Sequence, residues 1–345
     1  MFRKRYYSLI LIGALLAMTL LLMIVGGRLF ADVGEEAYSE EGIDSEDLIV
    51  VGVSQLGSES GWRSANTESL QRTFTQSNGY FLIFNNARQK QENQIKAIRS
   101  FISQRVDYIV FSPVVQSGWE TVLQEAKQAG IPVIVMDRSV NVADQSLYTT
   151  YVGTDSVEEG RKAGRWLENE LAKQRRAAED INIVVIKGTE GASAQIGRTR
   201  GFSTIAIEHE NWHILEQKCG DFTVYKGKEV MKELLGRYDD IDVVVSQNDD
   251  MTVGAIEAIE ESGRTVGVEG EIMIISFDAV GSALEMVAEG TVNVDIECNP
   301  NQGESISEVI QKLESGQEVE KKYYVEEDVF TIENVTQELL QERTY

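Results

Sequence analysis

Residues 107–137 read DYIVFSPVVQSGWETVLQEAKQAGIPVIVMD. An apolar run stops at Ser112 and Pro113. GWETVLQEAKQAG then reads as a helix ending at Gly130, and the β-branched run IPVIVMD follows. Strand, helix and strand in so short a span make a βαβ unit, with parallel strands and a right-handed crossover.

The same alternation extends both ways. Upstream, LIVVGVS from Leu48 is a buried strand, RSANTESLQRTFTQSNG a helix ending at Gly79, and YFLIFN a second strand. KQENQIKAIRSFISQRV is an amphipathic helix with Ile95, Ile98, Ile102 and Val106 at helical spacing. Downstream the pattern restarts. TTYVGTD, INIVVIKG, HILEQKCG, DVVVSQND, EIMIISFD and VNVDIE read as strands with helices between them, and EKKYYVEEDVF as a last strand. The expected fold is α/β, two consecutive doubly wound Rossmann-like units, with the crevice between them as the ligand site.

The 345 residues exceed one ordinary domain, and 42% hydrophobic content suits a globular chain. A formal net charge of -24 repels nucleic acid and anionic headgroups, so a neutral small molecule or a protein partner fits better. The N-terminus is an address: MFRKRYY is basic, and SLILIGALLAMTLLLMIVGG follows without a charge. Residues 1–31 read as a signal peptide or a retained membrane anchor. The basic flank stays cytoplasmic and everything after Val33 lies outside. Residues 32–47, DVGEEAYSEEGIDSED, read as an acidic tether. In that oxidising compartment Cys219 and Cys298 allow a bridge, two free thiols being the plainer reading.

Nearly every strand ends in polar groups: Ser54 and Gln55, Ser112, Asp137 and Arg138, Asn248 and Asp249, Asp278, Glu297 and Asn299. Strand C-termini of a doubly wound sheet share one side, so two facing sheets bring these groups to one cleft. Carboxylates and guanidinium groups make strong directional bonds to hydroxyls, and Trp62 and Phe222 can stack on the apolar face of a sugar. Asp155, opening TDSVEEG, reads instead as a helix cap.

These residues carry a resemblance. GVSQLGSESGWR, KQENQIKAIRSFISQRVDYIVFSPVVQSGWE, EAKQAGIPVIVMDRS, GASAQIGRTRGF, GDFTVYKGKEVM and QNDDMTVGAIEAI resemble the solute-binding proteins of bacterial sugar ABC importers. The likeness is to the galactofuranose-binding branch of the ribose/galactose-type group, over about residues 48–335. It implies a periplasmic-binding-protein type I fold whose lobes are joined by three hinge crossings, near residues 152, 298 and 322. The lobes would be 48–152 plus 298–322, and 153–297 plus 323–335. It implies Glu59, Trp62, Arg63, Asp137, Arg138, Arg198, Phe222, Asn248 and Asp278 as ligand residues, with Glu297 or Asn299 as a further polar group. The implied function is delivery of a monosaccharide, galactofuranose or a related hexose or pentose, to ABC permease subunits by cleft closure. A membrane-anchored receptor feeding a sensor kinase or chemoreceptor is the alternative. Neither needs a cofactor or a catalytic residue. Asp137→Ala or Arg198→Ala is expected to weaken sugar binding with the fold intact.

Enzymatic readings fare worse. HENWH, residues 209–213, matches H-E-x-x-H, yet His209 ends one helical pattern and His213 opens a strand, which removes the one-face geometry zinc needs. GVSQLGSESG lacks the G-x-G-x-x-G spacing of a nicotinamide site. The acids are accompanied by arginine or asparagine, unlike a glycosidase pair. No helix-turn-helix precedes the core, as a sugar-responsive repressor would require.

Overall fold

The computed structural model describes residues 48–345, so the expected signal, anchor and tether over 1–47 lie outside the described residues. Two six-stranded sheets organise the chain, with strands numbered in chain order. The first holds β1 (Ile49–Gln55), β2 (Tyr80–Asn86), β3 (Tyr108–Phe111), β4 (Val133–Asp137), β5 (Thr150–Gly153) and β11 (Lys322–Tyr324), in the order β11-β5-β4-β3-β1-β2. The second holds β6 (Ile181–Lys187), β7 (Trp212–Cys219), β8 (Val243–Ser246), β9 (Met273–Asp278), β10 (Val294–Glu297) and β12 (Val329–Phe330), in the order β12-β10-β9-β8-β6-β7. All pairings are parallel except β10 with β12. In each sheet the strand order reverses beside the first strand, which is where α/β sheets open their ligand crevice.

Helices cover both faces of each sheet. Those of the first lobe are α1 (Gly61–Thr73), α2 (Gln91–Gln104), α3 (Glu120–Gln128) and α9 (Gly303–Glu314). Those of the second are α4 (Ser156–Lys173), α5 (Ser193–Ala206), α6 (Val224–Leu235), α7 (Asp249–Glu261), α8 (Gly281–Ala288) and α10 (Gln337–Glu342). Strand alternation explains the apolar runs. In β3, Ile109 and Phe111 join the core with Phe101, Trp119 and Leu123, while Tyr108 and Val110 face Leu70, Ile306 and Ile310. In the second lobe one core gathers Met231, Leu234, Met251 and Ile259, and the opposite one Leu167, Leu171, Phe202 and Phe277. Of the amphipathic set on α2, Ile98 and the following Val106 are buried, and Ile95 and Ile102 are half-buried. The helix stops where Arg105 turns left-handed, with φ 57°.

The chain crosses between the sheets after β5, after β10, and between β11 and β12. The third crossing differs from the expectation. EKKYYVEEDVF is not one strand: Tyr323 and Tyr324 pair with β5, and Val329 and Phe330 with β10. The switch therefore falls at 325–328 rather than at 322. The charged VEED segment, 325–328, supplies no residue to either core and links the two sheets. Helix α10 was not anticipated; Leu339 and Leu340 pack it against Ala279, Leu284 and Phe330. Among the described residues, no helix is long and apolar enough to cross a membrane.

Candidate functional site

In the first lobe the site begins where β1 ends. Ser60 caps α1, its hydroxyl accepting the Arg63 N–H at 3.1 Å, and this fixes Trp62 and Arg63 in the first helical turn. The Trp62 indole donates to the Cys298 carbonyl, so the ring is pinned to the second crossing. The Arg63 guanidinium lies over that ring, 4.6 Å from its centroid. Its nitrogens reach Asp137 Oδ2 at 2.7 Å, Glu59 Oε1 at 3.1 Å and Gln55 Oε1 at 3.3 Å. Ser112 donates to the same Asp137 oxygen at 2.8 Å. Arg138 donates to the Val114 carbonyl at 3.3 Å and stands 3.7 Å from Glu59. Burial alone would lower the Arg63 pKa, but Asp137 and Glu59 outweigh it and raise the group; Arg138 is lowered, by burial and then by Arg63.

In the second lobe Arg198 projects from α5. Its Nε meets Glu159 Oε2 at 2.6 Å, its Nη2 meets Asp278 Oδ1 at 3.0 Å, and its Nη1 donates to the Gln247 carbonyl. The two carboxylates overcome the burial penalty and hold the guanidinium charged. Burial pushes the Asp278 carboxyl up, against the pull of Arg198. Asn248 caps α7, its oxygen accepting from Met251 N at 3.0 Å, and its amide nitrogen donates to the Phe222 carbonyl at 3.5 Å. The Phe222 ring is pressed onto Gly188, where a Cβ would sit 1.8 Å from Cζ. Across the cleft Arg138 covers the same ring at 5.2 Å.

All nine expected residues line one cavity, joined by Ser60, Ala194 and Cys298. The cavity volume is about 310 Å³. Ser139 N of the first lobe donates to Ser193 Oγ of the second across the gap at 2.8 Å. The six charged members are Glu59, Asp137 and Asp278 against Arg63, Arg138 and Arg198, so the lining is balanced and suits an uncharged polar guest. Asp137, Phe222 and Asp278 have φ values of 57°, 58° and 110°. A left-handed non-glycine residue costs about 1–3 kcal/mol and persists where the surroundings enforce it.

Several expectations need correction. Neither Glu297 nor Asn299 lines the cavity: Glu297 is held by Arg343 at 2.6 Å and by the Tyr345 hydroxyl at 2.7 Å, and Asn299 accepts from Asn301 N at 2.9 Å. Cys298, between them, lines the cavity instead. Arg198 sits at the centre of a buried ion cluster, so Arg198→Ala would leave two acids unmatched and disturb the fold as well as binding. The same holds for Asp137→Ala and Arg63. Glu159 is a functional neighbour the sequence reading passed over; its one signal was its place on the small-residue face with Gly160, Ala163 and Gly164. Asp155 caps α4, accepting from Val157 N and Glu158 N. In HENWH the histidines part, His209 facing Glu168 at 3.5 Å and His213 facing Asp180 at 2.9 Å. Cys219 and Cys298 are both free thiols.

Comparison with known proteins bears on this geometry. The chain is 38% identical over 298 residues to the galactofuranose-binding protein YtfQ of Escherichia coli (strain K12), covering 86% of this chain and 91% of that one. A Mycobacterium smegmatis protein solved in complex with β-D-fucofuranose superposes with a TM-score of 0.81 and 42% identity, over 86% of this chain and 95% of that one. The periplasmic binding component of the arabinose ABC transporter of Shewanella sp. ANA-3, bound to α- and β-L-arabinofuranose, gives 0.80 and 40% over the same shares. A family model described as periplasmic binding protein domain matches residues 51–318, and with these relatives it establishes that the chain belongs to the periplasmic binding protein family.

Proposed function

We propose that this protein is an extracytoplasmic binding protein that captures a monosaccharide in its furanose form and delivers it to an ABC importer. It is a binding protein and not an enzyme, as its family is. The observation that carries the reading is the convergence of nine side chains from two lobes on one charge-balanced cavity. Glu59, Trp62, Arg63, Asp137 and Arg138 form one jaw, and Arg198, Phe222, Asn248 and Asp278 the other. Sugar hydroxyls would accept from the guanidinium groups and donate to the carboxylates, while Phe222 and Trp62 wall the ring. Hydrogen bonds to charged groups contribute about 1.5–3 kcal/mol each, so a few from each jaw meet the roughly 8 kcal/mol of a micromolar site. Both jaws are needed for that sum, so the sugar favours the closed form.

The furanose assignment rests on the relatives, which are named for galactofuranose or solved with fucofuranose and arabinofuranose. Titration calorimetry with ring-locked anhydro sugars tests it. The 1,4-anhydro (furanose) form of galactitol is expected to bind and the 1,5-anhydro (pyranose) form to bind at least about tenfold more weakly. Equal affinities would reject the ring assignment; no binding of any monosaccharide would reject the function. We further propose export by residues 1–31 and attachment or release at the outer face of the membrane, the acidic segment 32–47 serving as spacer.

A further inference from the structure

Beside the sugar pocket, whose lining includes Cys298, one ligand atom each from Glu159, Cys298 and Glu327 lie within 4.8 Å of one another. Each comes from a different crossing: Glu159 from α4 just after the first, Cys298 from the second, and Glu327 from the third. We infer that this cluster is a binding site for a zinc-class divalent cation, which ties the three hinge segments together.

An independent feature points to a ligand. Glu159 is fully buried, its Oε2 is taken by Arg198, and its Oε1 has no hydrogen-bond partner. A buried carboxylate oxygen without a partner is costly, and a cation satisfies it. Arg198 is shared between Glu159 and Asp278, and Lys162 donates to the Glu327 carbonyl oxygen rather than to its carboxylate. One thiol and two carboxylates suit Zn²⁺ rather than the all-oxygen shells of Mg²⁺ or Ca²⁺, and three protein ligands leave one position for water. Glu327 is only half-buried, which gives the ion a path from solvent. Burial pushes the Cys298 thiol up and Glu327 to about 9, so binding at neutral pH displaces the thiol and carboxyl protons.

Titration of the metal-free full chain with zinc chloride, without sugar, tests the site independently of the sugar reading. One equivalent is expected to bind with micromolar or tighter affinity. Cys298→Ser and Glu327→Gln should each weaken it at least tenfold, and Cys219→Ser should leave it unchanged. Cobalt(II) in place of zinc should give a thiolate-to-metal charge-transfer band that Cys298→Ser abolishes. Circular dichroism confirms that the variants are folded, and Glu327→Gln carries the test if Cys298→Ser is not. No stoichiometric zinc binding, or binding insensitive to both variants, would overturn the site.

Discussion

Arg63 and Asp137 meet at 2.7 Å with side chains 3% and 6% exposed. Removing one partner of such a pair costs about 3–5 kcal/mol, because the other charge stays buried and unmatched. A variant that keeps the shape separates binding from folding. Asp137→Asn should fold, lose the charge-assisted bond to sugar, and bind at least about tenfold more weakly by calorimetry; unchanged affinity would remove Asp137 from the site. Gly188 is a second lever. A Cβ there would lie 1.8 Å from the Phe222 ring, so Gly188→Ala must displace that ring. Arg138 lies over the same ring, 5.2 Å from its centroid, so displacing the ring disturbs the cavity wall. The expected result is sugar affinity reduced at least about tenfold with a folded second lobe.

Elements aim these side chains. Ser60 satisfies the open N–H end of α1 and thereby sets the direction of Trp62 and Arg63. Loss of such a cap costs about 1 kcal/mol, so Ser60→Ala should lower the melting temperature modestly and weaken binding several-fold together. Behind the Asn248 and Asp278 strand ends, Asp249 on α7 and Asp295 on β10 lie side by side. Asp249 accepts from Ser276 at 2.6 Å and Val280 N at 2.9 Å, and Asp295 from Ala279 N at 3.2 Å. Burial raises both; Asp295 further raises Asp249, while Asp278 further raises Asp295, which reaches about 7 against the lowering effect of its hydrogen bond with Asp249. The folded state therefore holds a proton that the unfolded chain releases near pH 4, so this pair's contribution to stability falls as pH rises from about 4 to 7. Asp295→Asn should flatten that slope in thermal melts taken across this range; an unaltered slope would show that the pair does not govern it.

At the scale of the whole molecule, affinity includes the equilibrium of closure. Ser139 N to Ser193 Oγ at 2.8 Å and Gln116 N to Gly191 O at 3.0 Å join the lobes outside the cavity lining. Ser193→Ala removes one bond specific to the closed form. A net loss of about 1 kcal/mol corresponds to roughly fivefold weaker sugar binding. Small-angle scattering should show the wild-type chain contracting on addition of sugar, and the variant requiring more sugar for the same contraction. Identical titration curves would mean that this contact is not part of closure.

The alternation of apolar runs and amphipathic helices determined two parallel sheets by itself, because burial on both faces demands continuous β-branched strands such as Tyr108–Phe111 and Val133–Asp137. Strand-end polarity then marked Asp137, Asn248 and Asp278, since a core has no use for charge at those positions. Trp62 and Phe222 offered rings able to stack on a sugar, and Glu59 and Arg198 stood out through the resemblance to sugar-binding proteins. Other features only the tertiary structure decided. Glu159 looks like any acid on an amphipathic helix until α4 buries its face against α5, which sets it on Arg198. Glu297 looked available until the C-terminal Arg343 and Tyr345 reached it from distant sequence. Cys298 and Glu327 came together only because the second and third crossings run side by side. Periodicity is local and legible along the chain; charge pairing across a cleft depends on contacts between residues far apart in sequence, and those are fixed by packing.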